Sequence, residues 1–119
     1  LDMTLRDVQA ELKKNGHPWT ISKVFKDAAV VGPWIKLSEF PHWEKEEFQL
    51  EINGQVKQKA SAQEMILSAF NSVSYIHDFF PLCPGDIIFT GTPKGVGPVQ
   101  SGMKGKLKWG PVEYGVIWS

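Results

Sequence analysis

Pro84-Gly85-Asp86-Ile87-Ile88-Phe89-Thr90-Gly91-Thr92-Pro93-Lys94-Gly95-Val96-Gly97 is the stretch on which the reading of this chain turns. A Pro-Gly-Asp turn opens an apolar run, Ile87 to Phe89, and a loop with three glycines and one proline closes it. The run predicts a buried strand over Asp86–Thr90. Glycines in the loop permit backbone shapes and close approaches that side chains forbid. A strand delivering such a loop can set backbone N–H groups and the Thr92 hydroxyl against a small ligand. An ordinary strand followed by a Gly-rich turn explains the same composition, because loops favour Gly and Pro. A phosphate-binding P-loop does not, since Lys94 is followed by Gly95 rather than Ser or Thr and the glycine spacing differs.

Upstream of this stretch, Ser61-x-x-Glu64 reads as a capping box opening a helix. The helix would carry Ile66, Ala69, Phe70, Val73, Ile76 and Phe80 along one stripe and end before Pro81 and Pro84. Phe48, Leu50 and Ile52 alternate with Gln49 and Glu51 as in a half-buried strand. Asn53-Gly54 is a strong hairpin signal, with Gln55–Ala60 as the returning strand on an exposed edge. Downstream, Leu107–Trp109 and Val112–Trp118 predict a closing hairpin across Gly110-Pro111. At the other end, Thr4 caps a helix running through Asn15, with Asp7 three residues on and Gly16 as its stop. Ser22–Asp27 reads as irregular and Ala28–Ile35 as a short strand broken by Gly32-Pro33. The pattern predicts an α+β fold: a mixed, mostly antiparallel sheet with two helices and no internal domain boundary.

Composition narrows the function classes. The 119 residues carry 13 basic and 13 acidic side chains, so no net charge points to nucleic acid or an anionic membrane. Cys83 is alone, which excludes an internal disulfide and predicts a reducing compartment, the cytoplasm. No apolar segment approaches the roughly 18 residues of a membrane span. His17, His42 and His77 show no metal-ligand spacing with one another, and Cys83 has no recognisable activating partner.

Two motifs carry a resemblance. The Pro84–Gly97 stretch resembles the PGD-(apolar strand)-TGTP-x-GVG signature near the C-terminus of the fumarylacetoacetate hydrolase family. Leu1-Asp2-Met3-Thr4-Leu5-Arg6-Asp7-Val8-Gln9, followed by Gly16-His17-Pro18-Trp19 and Ser22-Lys23, resembles that family's D-x-[TS]-x-R-D-[VI]-Q segment and the lysine after it. Both occur in the family's order, and the resemblance covers essentially the whole chain. It is nearest to the small acylpyruvase and oxaloacetate-acting branch, whose members carry roughly as many residues again before this point. It therefore implies that residues 1–119 form the C-terminal part of a catalytic domain, an incomplete β-roll, from a protein about twice this length. Leu1 in place of an initiator methionine agrees with that expectation.

The resemblance also assigns roles. Asp2 matches a carboxylate ligand of a divalent ion, Mg²⁺ or Mn²⁺, whose other ligands are an E-x-E glutamate pair absent from this chain. Glu44 and Glu46 are two apart but sit in a charged Glu-Lys-Glu-Glu connection that reads as a solvated turn. By itself Asp2 reads as an anion near a helix N-terminus. Lys23 matches a lysine that meets negative charge on substrate, where its default is a solvated surface charge. Gln9 matches a substrate-orienting amide, against a polar residue on a helix face. Arg6 can hold a substrate carboxylate bidentately, or pair with Asp2 or Asp7. Thr92 and the Gly91 backbone match a contact with the substrate's carboxylate or oxo end.

The implied parent activity is metal-dependent cleavage of acylpyruvates, or decarboxylation or tautomerisation of oxaloacetate, on a small 2-oxo acid substrate and in a homodimer. All three outcomes share one stabilised enolate. The alternative is a non-catalytic fragment or assembly module without the metal-binding glutamates. On the fragment reading, Val30, Trp34 and the apolar faces of Asp86–Thr90 should lack partners within this chain.

Overall fold

The computed structural model describes residues 1–119, which separate into two units, Leu1–Gly32 and Pro33–Ser119. In the first, helix α1 spans Arg6–Lys14 and a single helical turn, α2, spans Thr20–Lys23. Asp7 lies in the first turn of α1 and Lys13 and Lys14 in its last, each sign at the dipole end that favours it. The ammonium of Lys13 also sits 4.5 Å over the Trp19 ring. Ala29 pairs with Asp2 in an isolated antiparallel bridge. Met3 N–H donates to Ala28 O at 2.8 Å, Leu5 N–H to Ser22 O at 3.0 Å and Val30 N–H to Leu1 O at 3.0 Å. These bonds hold the N-terminal segment against residues 22–30. Ser22, fully buried, donates from its hydroxyl to Trp19 O at 2.6 Å.

Thr4 does not cap α1. The N-cap position falls on Leu5, which has no side-chain cap, and the Thr4 hydroxyl is bonded instead to the Lys23 ammonium. The expected strand over Ala28–Ile35 contracts to the one bridge at Ala29, because its backbone bonds to the segment before α1 extend only as far as Val30. Ser22–Asp27 is irregular only beyond the α2 turn.

The second unit holds a four-stranded antiparallel sheet in the order β2-β1-β3-β4. Strand β1 is Glu47–Ile52, β2 Gln55–Ser61, β3 Lys104–Trp109 and β4 Val112–Ile117. Both expected hairpins are present. The first turns through Asn53 at φ 49° and Gly54 at φ 80°, the left-handed pair that matches strand twist. Asn53 Oδ1 accepts from Lys104 N at 2.9 Å, which ties this turn to β3. Strand β2 lies at an edge, as its polar sequence predicts.

Opposed residues share a face of the sheet. Phe48 faces Ala60 and Trp109, and Leu50 faces Gln58 and Leu107. An aromatic cluster forms over this face: Trp109 meets Phe40, Trp43 and Phe48 edge-on at 5.4, 6.0 and 6.1 Å. Its indole N–H donates to Glu46 O at 3.2 Å. The other face carries the ion pairs Lys59–Glu47, Lys106–Glu113 and Lys108–Glu51, at 2.9, 2.9 and 2.8 Å. Their shared hydrogen bond raises the Lys106 pKa and lowers that of Glu113. Both groups are solvated, so the pair adds little stability.

Two expectations for this unit change. Ser61 and Glu64 do form a capping box, but over the short 3-10 turn Ala62–Glu64. The helix, α3, begins later, at Ala69–His77, where Ser68 Oγ accepts from Asn71 N at 3.2 Å. Met65 is in extended backbone, which ends the first turn. Of the apolar stripe, Ala69 and Ile76 are half-buried, while Ile66, Phe70, Val73 and Phe80 are exposed.

The signature stretch Asp86–Thr90 joins no ladder. A strand needs a partner edge as well as an apolar sequence, and this stretch pairs with neither outer strand of the sheet, β2 or β4. Ile87 and Phe89 are 49% and 47% exposed and Trp34 is 74% exposed, whereas Val30 is half-buried. No helix is long and apolar enough to cross a membrane.

Candidate active site

In the first unit the backbone bonds between residues 1–5 and 22–30 bring two expected site residues together. Lys23 Nζ lies 2.7 Å from Asp2 Oδ2 and donates to Thr4 Oγ1 at 2.9 Å. The two side chains are 36% and 40% exposed, so the pair faces solvent. Buried Ser22 sets the end of the α2 turn from which Lys23 projects.

Arg6 and Gln9 form a second pair, one helical turn apart, with Arg6 Nη1 donating to Gln9 Oε1 at 2.8 Å. Gln9 is 7% exposed. Because a guanidinium only donates, it fixes the amide carbonyl toward Arg6 and leaves the Gln9 NH₂ end as a donor. Arg6 thus pairs with neither Asp2 nor Asp7.

In the second unit, Gly91 and Thr92 stand in the loop after the signature stretch. Gln58 of β2 donates from Nε2 to Thr92 Oγ1 at 2.8 Å and to Pro93 O at 3.0 Å. Gly95, at φ +98°, lies against the Lys57 carbonyl, and a Cβ there would overlap that oxygen. A Gly95→Ala variant is therefore expected to lose about 1–3 kcal/mol through its backbone conformation alone, and to lift the loop from β2. Urea unfolding monitored by tryptophan fluorescence would measure the first effect, and NMR order parameters for residues 91–97 the second. Gly97, which has no side-chain clash to relieve, is the control and should tolerate alanine.

Sequence reasoning missed Gln58 and Thr4. Gln58 looks like one more polar residue on an edge strand, and its only signal is its position between Val56 and Ala60. Thr4 reads as a helix cap, but the N-cap position falls one residue later, on Leu5, which leaves the Thr4 hydroxyl to Lys23.

The donor set for a metal is sparse. No group of three or more His, Cys, Asp or Glu side chains is placed to hold an ion. Asp2 offers one carboxylate, whereas Mg²⁺ seeks octahedral oxygen coordination. The residues of this chain by themselves do not make a metal site. A shallow, open depression of about 360 Å³, lined by Pro33, Ile35, Glu39, Pro111, Val112 and Glu113, contains none of the expected site residues.

Comparison with known proteins identifies the family. The family model described as "Fumarylacetoacetate (FAA) hydrolase C-terminal" matches residues 1–112. Oxaloacetate tautomerase FAHD1, mitochondrial, from Homo sapiens is 44% identical over 100 residues, covering 84% of this chain and 45% of that protein. The chain thus spans about half the length of the curated relatives it matches. Among solved structures, a fumarylacetoacetate hydrolase family protein from Yersinia pestis CO92 superposes with a TM-score of 0.95 at 37% identity, over 100% of this chain and 56% of that one. Fumarylpyruvate hydrolase from Pseudomonas aeruginosa, in complex with Mn²⁺ and pyruvate, gives 0.90 at 35% identity, over 98% and 51%. This chain belongs to the fumarylacetoacetate hydrolase family.

Proposed function

We propose that the chain is the C-terminal part of a longer, divalent-metal-dependent enzyme acting on small 2-oxo acids, with oxaloacetate tautomerisation as the favoured reaction. The observation that carries this reading is the Lys23–Asp2 contact at 2.7 Å, closed across 21 residues of sequence. It occurs in a chain 44% identical to an oxaloacetate tautomerase. Tautomerisation moves one proton between carbon and oxygen through an enolate, so the site must meet negative charge that grows on oxygen. Lys23 supplies a fixed ammonium, and the Asp2 and Thr4 oxygens limit its motion. Gln9 supplies an amide N–H, oriented by Arg6, whose remaining N–H groups are free for a substrate carboxylate. By the family resemblance, Thr92 and the Gly91 N–H are proposed as contacts to the carboxylate or oxo end. Donors held in place before charge develops stabilise it without reorganisation.

Asp2 is proposed as one ligand of Mg²⁺ or Mn²⁺, with glutamates from outside this chain completing the set. When bound, such an ion supplies Lewis-acid polarisation of the 2-oxo acid unit. Acylpyruvate hydrolysis uses the same enolate stabilisation, and the Pseudomonas fumarylpyruvate hydrolase supports it as a second outcome. A homodimer is supported by the exposure of Trp34, Ile87 and Phe89. The single Cys83 supports a reducing compartment such as the cytoplasm.

The non-catalytic module reading rests on the missing metal cluster. Assaying oxaloacetate enol decay and acylpyruvate cleavage with Mg²⁺ or Mn²⁺, in this chain and in the longer polypeptide, separates the two. Turnover is expected only in the longer form. Turnover by the 119-residue chain would overturn the shared site, and inactivity of both forms would leave the module reading.

A further inference from the structure

We infer that Gln58 is a positioning residue that fixes the Thr92 hydroxyl as a hydrogen-bond donor toward an anionic oxygen of the ligand, a role that rests on the function proposed above. Gln58 is out of character with its surroundings. It sits opposite Leu50 on β1, in a cross-sheet row that continues through Leu107 and Tyr114, and it is half-buried. A polar amide in an apolar row costs free energy unless its hydrogen bonds are made elsewhere. Here they are made to the Gly-rich loop.

The direction of those bonds follows from the partners. Pro93 O is a carbonyl and can only accept, so the NH₂ end of Gln58 must face the loop. The second hydrogen of that NH₂ points to Thr92 Oγ1, which must therefore accept. One lone pair of the hydroxyl is then occupied and its own O–H is left to donate outward. A hydroxyl that accepts is polarised into a better donor. An outward O–H suits a carboxylate or enolate oxygen.

A bulge in β2 assists this arrangement. The register passes from Leu50↔Gln58 to Glu51↔Val56, which leaves Lys57 as an extra residue without a partner on β1. Bulges bend a strand and re-aim its side chains. The loop docks at this irregularity, with Gly95 against the Lys57 carbonyl. Gln58, Lys57 and Gly95 thus form one clamp with Thr92 at its tip.

The test has two arms. In the 119-residue chain, NMR should show cross-relaxation between the Gln58 side-chain amide protons and the Thr92 methyl. The Gln58→Met variant should lower backbone order parameters of residues 91–95 from the rigid range near about 0.85 to below about 0.6. Unchanged order parameters would overturn the clamp whatever the protein's function. In the longer polypeptide, Gln58→Met is expected to raise KM for oxaloacetate about tenfold, the scale of a hydrogen bond to a charged group. Gln58→Glu keeps the shape but cannot donate, and should be at least as impaired; a wild-type KM there would reduce Gln58 to space filling and overturn the proposal. The Thr92→Val variant should show a similar rise, and the double variant no more than either single one. Effects that multiply would mean Gln58 acts independently of Thr92, against the proposal. If the unaltered longer polypeptide turns over neither oxaloacetate nor an acylpyruvate, the function reading itself fails and the substrate role falls with it. That failure is recognised by the unaltered rate, while the NMR arm still decides the clamp.

Discussion

Replacing Trp109 with alanine is expected to destabilise the Pro33–Ser119 unit by about 2–3 kcal/mol, from the apolar area of a half-buried ring and its edge-on aromatic contacts. Trp109 is the hub of that cluster, in edge-on contact with Phe40, Trp43 and Phe48. Its loss strips three aromatic rings of their shared contact and deprives Glu46 O of its donor. Since whole domains are stable by only about 5–15 kcal/mol, much of the unit's margin would go. Urea denaturation monitored by circular dichroism, independent of the lost fluorophore, would register this as a lowered midpoint at similar slope. Trp34→Ala is the natural control. That ring is 74% exposed, and its removal should shift stability by less than about 0.5 kcal/mol. Equal effects of the two substitutions would show that the cluster is not the core of the unit.

The second large effect is catalytic. Lys23→Met in the longer polypeptide is expected to reduce kcat/KM for oxaloacetate about 10²–10³-fold, the usual loss on deleting one preorganised donor. Methionine retains the stem and removes the charge, so the loss would report the ammonium rather than packing. Lys23→Arg should rescue poorly, because a planar fork cannot reproduce a point charge held by both Asp2 and Thr4. A fall of less than threefold for Lys23→Met would make the lysine a tether for the N-terminal segment and nothing more. Circular dichroism of the variant checks that the first unit still folds.

Local chemistry made the two hairpins legible. Asn53-Gly54 and Gly110-Pro111 each dictate a reversal, and alternation of Phe48, Leu50 and Ile52 dictates which face is apolar. What failed depended on partners that periodicity does not specify. Ile87–Phe89 has the composition of a buried strand, but composition does not reveal whether a neighbouring edge takes it up. Ser61 and Ser68 are both competent caps, and extended Met65 between them decides where α3 starts. The candidate site was legible only through resemblance. Nothing in the spacing of Asp2 and Lys23 requires them to meet; that follows from the backbone bonds between residues 1–5 and 22–30. Gln58 was invisible because its role depends on a one-residue slip in register, which no alternation rule encodes.

That slip also bears on how the protein avoids its own kind. An outermost strand with a regular row of free carbonyls invites a stranger's strand to zip alongside and seed fibrous growth. At Lys57 the row is broken by the extra residue and blocked by the apposed glycine backbone. The rim that is proposed to grip a substrate therefore doubles as a guard against stacking from one molecule to the next.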